Sequence, residues 1–239
     1  MKIPTITGII DRRVLVNYAV DPDIAKTIVP APFKPKIING NAIAGICLIR
    51  LKNVRPKGLP AFMGFGSENG AHRIAVEWMV GDKLEEGVYI PRRDTSYRVN
   101  TLLGGRVFPG KHFKAKFEVN ENAGKYHIAF KSSDDTIISV DAQLTDKFNP
   151  NSIFRDLATA SAFFQAGSTG YSPNGSIYEG LYLNTQTWQV KPLEVSQVIS
   201  SYFEDEKIFP KGSVRFDNAL LMTNTRHEWW SVHDKPACY

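Results

Sequence analysis

The stretch "HRIAVEWMV" (72–80) alternates with a period of two: Ile74, Val76 and Trp78 share one face, and Arg73, Ala75 and Glu77 the other. That pattern is a β-strand; a helix would repeat its apolar residues every three or four positions. Its neighbours read the same way. "RRVLVNYAV" (12–20) is rich in β-branched and aromatic residues and stops at Asp21-Pro22. "NAIAGICLIRLKNV" (41–54) is a long, mostly apolar strand, and "HFKAKFEVN" (112–120) alternates again. Further strands are predicted over "KYHIAFKSS" (125–133), "TIISVDAQLT" (136–145), "YLNTQTWQVKPLEV" (182–195) and "SVRFDNALLMTNTRHEWW" (213–230). Gly, Pro, Asn and Asp punctuate them at the spacing of antiparallel sheets and barrels. The chain is therefore expected to be mainly β.

Two helices are predicted. "DPDIAKTIVP" (21–30) has Asp21 as N-cap and Pro22 at the first helical position, and it stops before Pro30. "NPNSIFRDLATASAFFQAG" (149–167) carries Ile153, Leu157, Ala160 and Phe164 at helical spacing, with Asn151 or Ser152 to cap it and Gly167 to end it. A Gly/Ser/Pro-rich stretch, "GSTGYSPNGS" (167–176), reads as a lid or rim loop within one domain spanning 1–239.

The chain has 239 residues, 43% hydrophobic and 22% charged, ordinary for a packed globular protein. The net charge of +5 comes from 29 basic and 24 acidic residues that are interleaved rather than striped. That argues against nucleic-acid binding and suits a local positive pocket for a small carboxylate or phosphate. The N-terminus shows no apolar signal region, and no stretch approaches membrane-spanning length, so no membrane association is expected. Cys47 and Cys238 stand outside any metal-like or disulfide spacing, and Cys47, in "AIAGICLI", reads as a small buried hydrophobe. Such cysteine usage fits a reducing cytoplasm. No cofactor or metal is expected: His227 and His233 lack a familiar ligand spacing and a third partner.

Chemistry-bearing residues fall in five clusters: "DRR" (11–13), "GFGSENGAHR" (64–73), "YIPRRDTSYRVN" (89–100), "GGRVFPGKHFKAK" (104–116) and "NTRHEWWSVHD" (224–234). No nucleophile elbow, phosphate loop or zinc-helix motif is present. Adjacent Arg92 and Arg93 must point to opposite faces of a strand, and a buried one needs an anion: Asp94, Glu68 or a bound carboxylate. An internal Arg–carboxylate bridge is the plainest outcome.

"RRVLVNYAVDPDIAKTIVPAPFKP", "SENGAHRIAVEW", "GVYIPRRDTS", "GGRVFPG", "FFQAGSTGYSP" and "FDNALLMTNTRHEW" together resemble the bacterial YqjF-like family, domain of unknown function 2071. That family is grouped by fold with acetoacetate decarboxylase. The resemblance implies an acetoacetate-decarboxylase-like bent antiparallel β-barrel or cone with a few short helices around a small-molecule cavity. It allows for a homo-oligomer. The likeness to the decarboxylase itself runs through Arg12, Tyr18, "DPD", "VPAP", Ser67-Glu68-Asn69-Gly70, Gly105-Arg106 and Lys111. In that enzyme the first of two consecutive lysines forms a Schiff base with a β-keto acid, and the iminium accepts the electron pair released with CO2. Here Lys111 is followed by His112, not lysine, and "HFKAKF" puts Lys114 and Lys116 on the solvent face opposite Phe113, Ala115 and Phe117.

The resemblance thus implies Lys111 as nucleophile with Glu68 as its catalytic partner. Arg12, Arg92, Arg93, Arg106 and His112 would bind the substrate, a small organic acid or carbonyl compound. A non-catalytic binding barrel would use the same cavity. A third outcome is an internal salt-bridge network with no cavity of ligand size.

Overall fold

The fold is described from a computed structural model over residues 4–96 and 109–232. In chain order the elements are β1 (Ile6–Val20), α1 (Pro22–Ile28), β2 (Lys34–Pro35), β3 (Ile37–Ile38), β4 (Asn41–Pro56), β5 (Phe65–Val80), β6 (Lys83–Thr95), β7 (His112–Asn122), β8 (Lys125–Ser132), β9 (Ile137–Leu144), α2 (Leu157–Ala166), β10 (Thr169–Asn174), β11 (Ile177–Thr185), β12 (Lys191–Ser200) and β13 (Val214–Ser231). The strands form one 13-stranded sheet. It follows the path β6–β7–β8–β9–β12–β13–β1–β4–β5 and returns to β6, so the sheet closes into a ring. Among the described residues every pairing is antiparallel except β6–β7 and β6–β10.

Closure gives the sheet two environments. Inside, every ring strand contributes to one core, including Val14, Val16, Ile46, Leu48, Ile74, Val76, Tyr89, Ala115, Phe130, Val140, Leu193 and Leu221, with Phe203 and Phe209 packed among them. Outside, Leu15, Ile43, Cys47, Ala75, Leu220 and Met222 form a second core under α2, whose Ala160 and Phe164 are buried there. Ile74, Val76 and Trp78 point inward and Ala75 outward, as their alternation predicts. A β-bulge at Asp11 adjusts this parity. Against β4 the register shifts between Ile10 and Arg12, leaving Asp11 as the extra residue, while against β13 it runs on unshifted, Ile10 opposite Thr225 and Arg12 opposite Thr223. Before the bulge Ile6 and Ile10 belong to the outer core; after it Val14 and Val16 belong to the inner one.

α1 starts as expected, with the Asp21 side chain accepting from Asp23 N at 2.8 Å. Three other expectations need correction. α2 is capped by Asp156, whose Oδ1 accepts from Thr159 N at 2.8 Å, not by Asn151 or Ser152. Those residues are bent away because buried Asp217 takes Ser152 Oγ at 2.6 Å and Ile153 N at 2.8 Å. The single strand expected over 182–195 is two strands, β11 and β12, that pair with different parts of β13. Between them the chain turns to seat Trp188, which donates from Nε1 to Ser161 Oγ on α2 at 3.0 Å. The expected lid loop over 167–176 is largely β10, hairpinned to β11 through Gly175-Ser176, where Gly175 has φ +61°. Its small residues allow close packing: a Cβ on Gly170 would lie 2.8 Å from Ile90 Cδ1. No helix among the described residues is long and apolar enough to cross a membrane.

Candidate functional site

The two faces of the sheet separate the polar residues into two groups. Glu68, on β5, accepts from Arg12 Nη2 at 2.5 Å and from Arg50 Nε. Glu121 accepts from Arg12 Nη1 at 2.9 Å and lies 3.2 Å from Arg50 Nη2. Asp11 meets Lys52 Nζ at 2.8 Å. Arg12 is 1% exposed, and two carboxylates compensate its charge. On the same face Arg92 grips Asp94 with two bonds, at 2.6 Å and 3.2 Å, and Asp134 at 2.8 Å, beneath the ring of Phe113. Asp94, fully buried, also accepts from Ser132 Oγ at 2.5 Å. Burial pushes the Asp94 carboxyl up, but its contacts with His72 and Arg92 outweigh burial and hold it below the ordinary carboxylate value. These are internal bridges of the kind expected for one of the two adjacent arginines.

The outer face differs. Arg13, Arg73 and Arg93 lie there with Cys47 around a cavity of about 120 Å³, between β1, β4, β5 and β6 on one side and β11 and the end of β13 on the other. Its walls are largely apolar, from Ile49, Leu51, Val88, Ile90, Leu181 and Leu183, with polar edges from Asn69, His112 and Asp94, the last already held by Arg92 and Ser132. Arg13 Nε donates to Cys47 Sγ at 3.3 Å, and its guanidinium stacks 5.5 Å from the Trp188 ring. Arg73 Nη2 donates to Asn17 Oδ1 at 2.5 Å, and its guanidinium lies 5.0 Å from the Phe164 ring. Arg93 donates to Pro109 O at 3.0 Å and Ser172 Oγ at 3.3 Å. All of these acceptors are neutral. Among the described residues no carboxylate forms an ion pair with Arg13, Arg73 or Arg93. Arg13 Nη1 and Arg73 Nε are buried without any acceptor. Burial pushes both Arg73 and Arg93 down to about 10.

The structure therefore brings Arg12 and Glu68 together, and Arg93 and His112 together, but on opposite faces. Arg92 stands with the first group. Lys111 is exposed, with its amine 4.9 Å from the Phe113 ring, and is not part of the cavity wall. Its carbonyl accepts from Arg93 N at 2.9 Å. Lys114 and Lys116 are exposed while Ala115 is buried. Arg106 lies outside the described residues, as do His233 and Cys238. Sequence reasoning missed Arg13, Arg73 and the position of Cys47 in the cavity wall. Strand parity carried the signal: Arg13 shares a face with Leu15, and Arg73 shares one with Ala75. His227, near the end of β13, is 1% exposed. Burial lowers it to about 4.

The model of domain of unknown function 2071, a family described as an uncharacterized conserved protein, matches residues 10–233. The chain belongs to this family. No curated protein matches the sequence of this DUF2071 chain significantly. Solved structures with the same fold include an acetoacetate decarboxylase from Legionella pneumophila, with a TM-score of 0.60 and 14% identity, covering 95% of this chain and 86% of that one. An acetoacetate decarboxylase-like enzyme from Sphingomonas wittichii RW1 gives 0.60 and 10%, covering 97% and 91%. The enduracididine biosynthesis enzyme MppR complexed with pyruvate gives 0.55 and 12%, covering 95% and 87%. At these identities the likeness is one of fold. The DUF2071 chain is thus acetoacetate-decarboxylase-like in architecture.

Proposed function

We propose that this protein binds a small organic acid in the outer-face cavity, with its carboxylate on Arg13, Arg73 and Arg93. One observation carries the reading: guanidinium groups from three strands line one cavity, and among the described residues none of them forms an ion pair, while Asp94 at its edge is taken by Arg92. A buried cation without a counter-ion is costly, and a bound carboxylate removes the cost through charge-assisted bonds. The size agrees. About 120 Å³ is roughly four water volumes, room for an acid of a few carbons. The apolar walls suit its carbon chain. The pyruvate complex of a structural relative makes pyruvate a reasonable first probe.

Calorimetric titration with pyruvate, acetoacetate and acetate, against neutral acetone, tests this. Binding of acids but not acetone is expected. Arg93→Gln should weaken it about 10- to 100-fold, because a hydrogen bond to a charged group contributes about 1.5–3 kcal/mol. Equal binding of acetone, or an unaltered affinity in Arg93→Gln, would sink the reading.

A second reading places Schiff-base lyase chemistry at Lys111, without Glu68, which Arg12 and Arg50 hold on the other face of the sheet. The observation in its favour is position: Lys111 is next in sequence to His112, which edges the cavity. Its amine would have to leave the Phe113 ring to reach a substrate there. Borohydride reduction in the presence of acetoacetate, followed by intact mass, decides it. The adduct must map to Lys111 and vanish in Lys111→Ala.

A further inference from the structure

We propose that Cys47 is a nucleophilic thiol of this cavity that adds reversibly to the carbonyl carbon of a bound 2-oxo acid. The inference rests on the carboxylate reading above and goes beyond it by naming both the ligand class and the reacting atom. Cys47 sits on β4 between Ile46 and Leu48, which point into the inner core, so its own side chain faces outward. It is 7% exposed and forms part of the cavity wall. No disulfide engages it, and Sγ accepts from Arg13 Nε at 3.3 Å. An alanine or valine would fill an apolar wall equally well but would leave that buried N–H without an acceptor.

The second, independent observation is Arg73. It is 6% exposed, lines the same cavity, and its Nε has no acceptor. The cavity thus holds a sulfur nucleophile within the same small volume as guanidinium groups that form no ion pair among the described residues. In a 2-oxo acid the electrophilic carbon is bonded directly to the carboxylate. A single carboxylate anchor would therefore hold that carbon near the cavity wall, where a 3-oxo acid would place it one atom further away. Proximity of this kind converts a bimolecular addition into an intramolecular one. The step balances within the pair. The Sγ–C bond forms, the C=O π bond breaks, and the thiol proton ends on the former carbonyl oxygen. The product is a hemithioketal, and no oxidant, reductant or leaving group is required.

The test is carbon NMR with pyruvate labelled with ¹³C at its carbonyl carbon, on the full chain carrying Cys238→Ser to remove the second thiol. A protein-dependent signal should appear in the tetrahedral carbon region, distinct from free pyruvate hydrate, and disappear in Cys47→Ala and Cys47→Ser. Calorimetry on the same samples separates the two ideas. If pyruvate binds and no Cys47-dependent tetrahedral signal forms, the thiol proposal is overturned and the carboxylate reading stands. If pyruvate, glyoxylate and 2-oxobutyrate all fail to bind, the thiol proposal is overturned, and the carboxylate reading falls with it when acetoacetate and acetate fail as well. An independent readout is alkylation by 3-bromopyruvate, in which sulfur displaces bromide. The rate at Cys47 should saturate with reagent and drop at least tenfold in Arg73→Met, whereas the rate with neutral iodoacetamide stays within about twofold. Equal effects on both reagents would mean that Arg73 only shapes access to the thiol, and the proposal would fail.

Discussion

Replacing Arg73 by methionine should make the folded protein more stable while weakening its ligand binding. Methionine keeps an unbranched stem as far as the ε position and removes a charge held 6% exposed on the outer face. The burial cost can be sized from the guanidinium itself, pushed from 12.5 down to about 10, which corresponds to about 3 kcal/mol. Against this stand two losses. The bond to Asn17 Oδ1 contributes about 1–1.5 kcal/mol. The stacking on Phe164 contributes about 0.5–1 kcal/mol. The net change in the unliganded protein is a gain of about 1 kcal/mol, read from urea unfolding midpoints at constant m. With saturating pyruvate the ranking should reverse, because wild type gains linkage stabilisation that the variant lacks. Destabilisation by 2 kcal/mol or more without ligand would refute the reasoning. It would show that Arg73 is a structural cation whose partners outweigh its burial.

Glu68→Gln should cost about 3 kcal/mol, because it leaves Arg12, buried at 1% exposure, with Glu121 as its single carboxylate partner; urea unfolding measures this. His227 makes a pH prediction. Its folded value is about 4 against 6.5 in the unfolded chain, so the unfolded state binds the proton first as pH falls. Stability should therefore drop between about pH 6.5 and 4, by about 3 kcal/mol in total. A Tm series should show that slope flattened in His227→Gln. Asp94 acts with the same sign in a lower window: its depressed carboxyl contributes stability above 3.8 that is lost only at lower pH. Asp94→Asn should lower the Tm at pH 7 and flatten the acid limb below pH 4. Gly87→Ala places a Cβ 2.4 Å from Thr169 O, forcing β10 away from β6. A loss of about 2 kcal/mol and faster hydrogen exchange in β10 are expected.

Much of this architecture was legible before any coordinates. The period of two in 72–80 and 112–117 assigned inner and outer faces correctly, because both strands bury one face against a core. Asp21-Pro22 marked α1 because capping chemistry is local. What was not legible depended on distant partners. Asp217 bends 151–156, and no pattern near Ser152 reveals it. β10 is short and holds Gly170, Ser172 and Pro173, with Ile90 leaving no room for a Cβ at Gly170, so its residues look like loop residues. The same holds for the site. Arg12 and Glu68 drew attention through the family resemblance, and the structure pairs them with each other. Arg13 and Arg73 looked like ordinary strand charges, since only closure of the sheet and the covering β11 turn their face into a cavity.

The bulge at Asp11 acts as a one-residue selector. Arg12 and Arg13 are chemically the same, yet one is neutralised inside the ring and the other stands unanswered at the cavity. What distinguishes them is whether the count of residues from Ile10 is odd or even. Deleting Asp11 would invert that count for whichever half of β1 fails to hold its register. It would trade the two guanidinium groups across a wall one peptide thick without changing the chemical identity of any remaining side chain. Adding a second residue beside Asp11 would disturb the same choice. Length variation in β1 should therefore be tolerated in steps of two, a constraint written in chain geometry and invisible to any comparison that scores residue types alone.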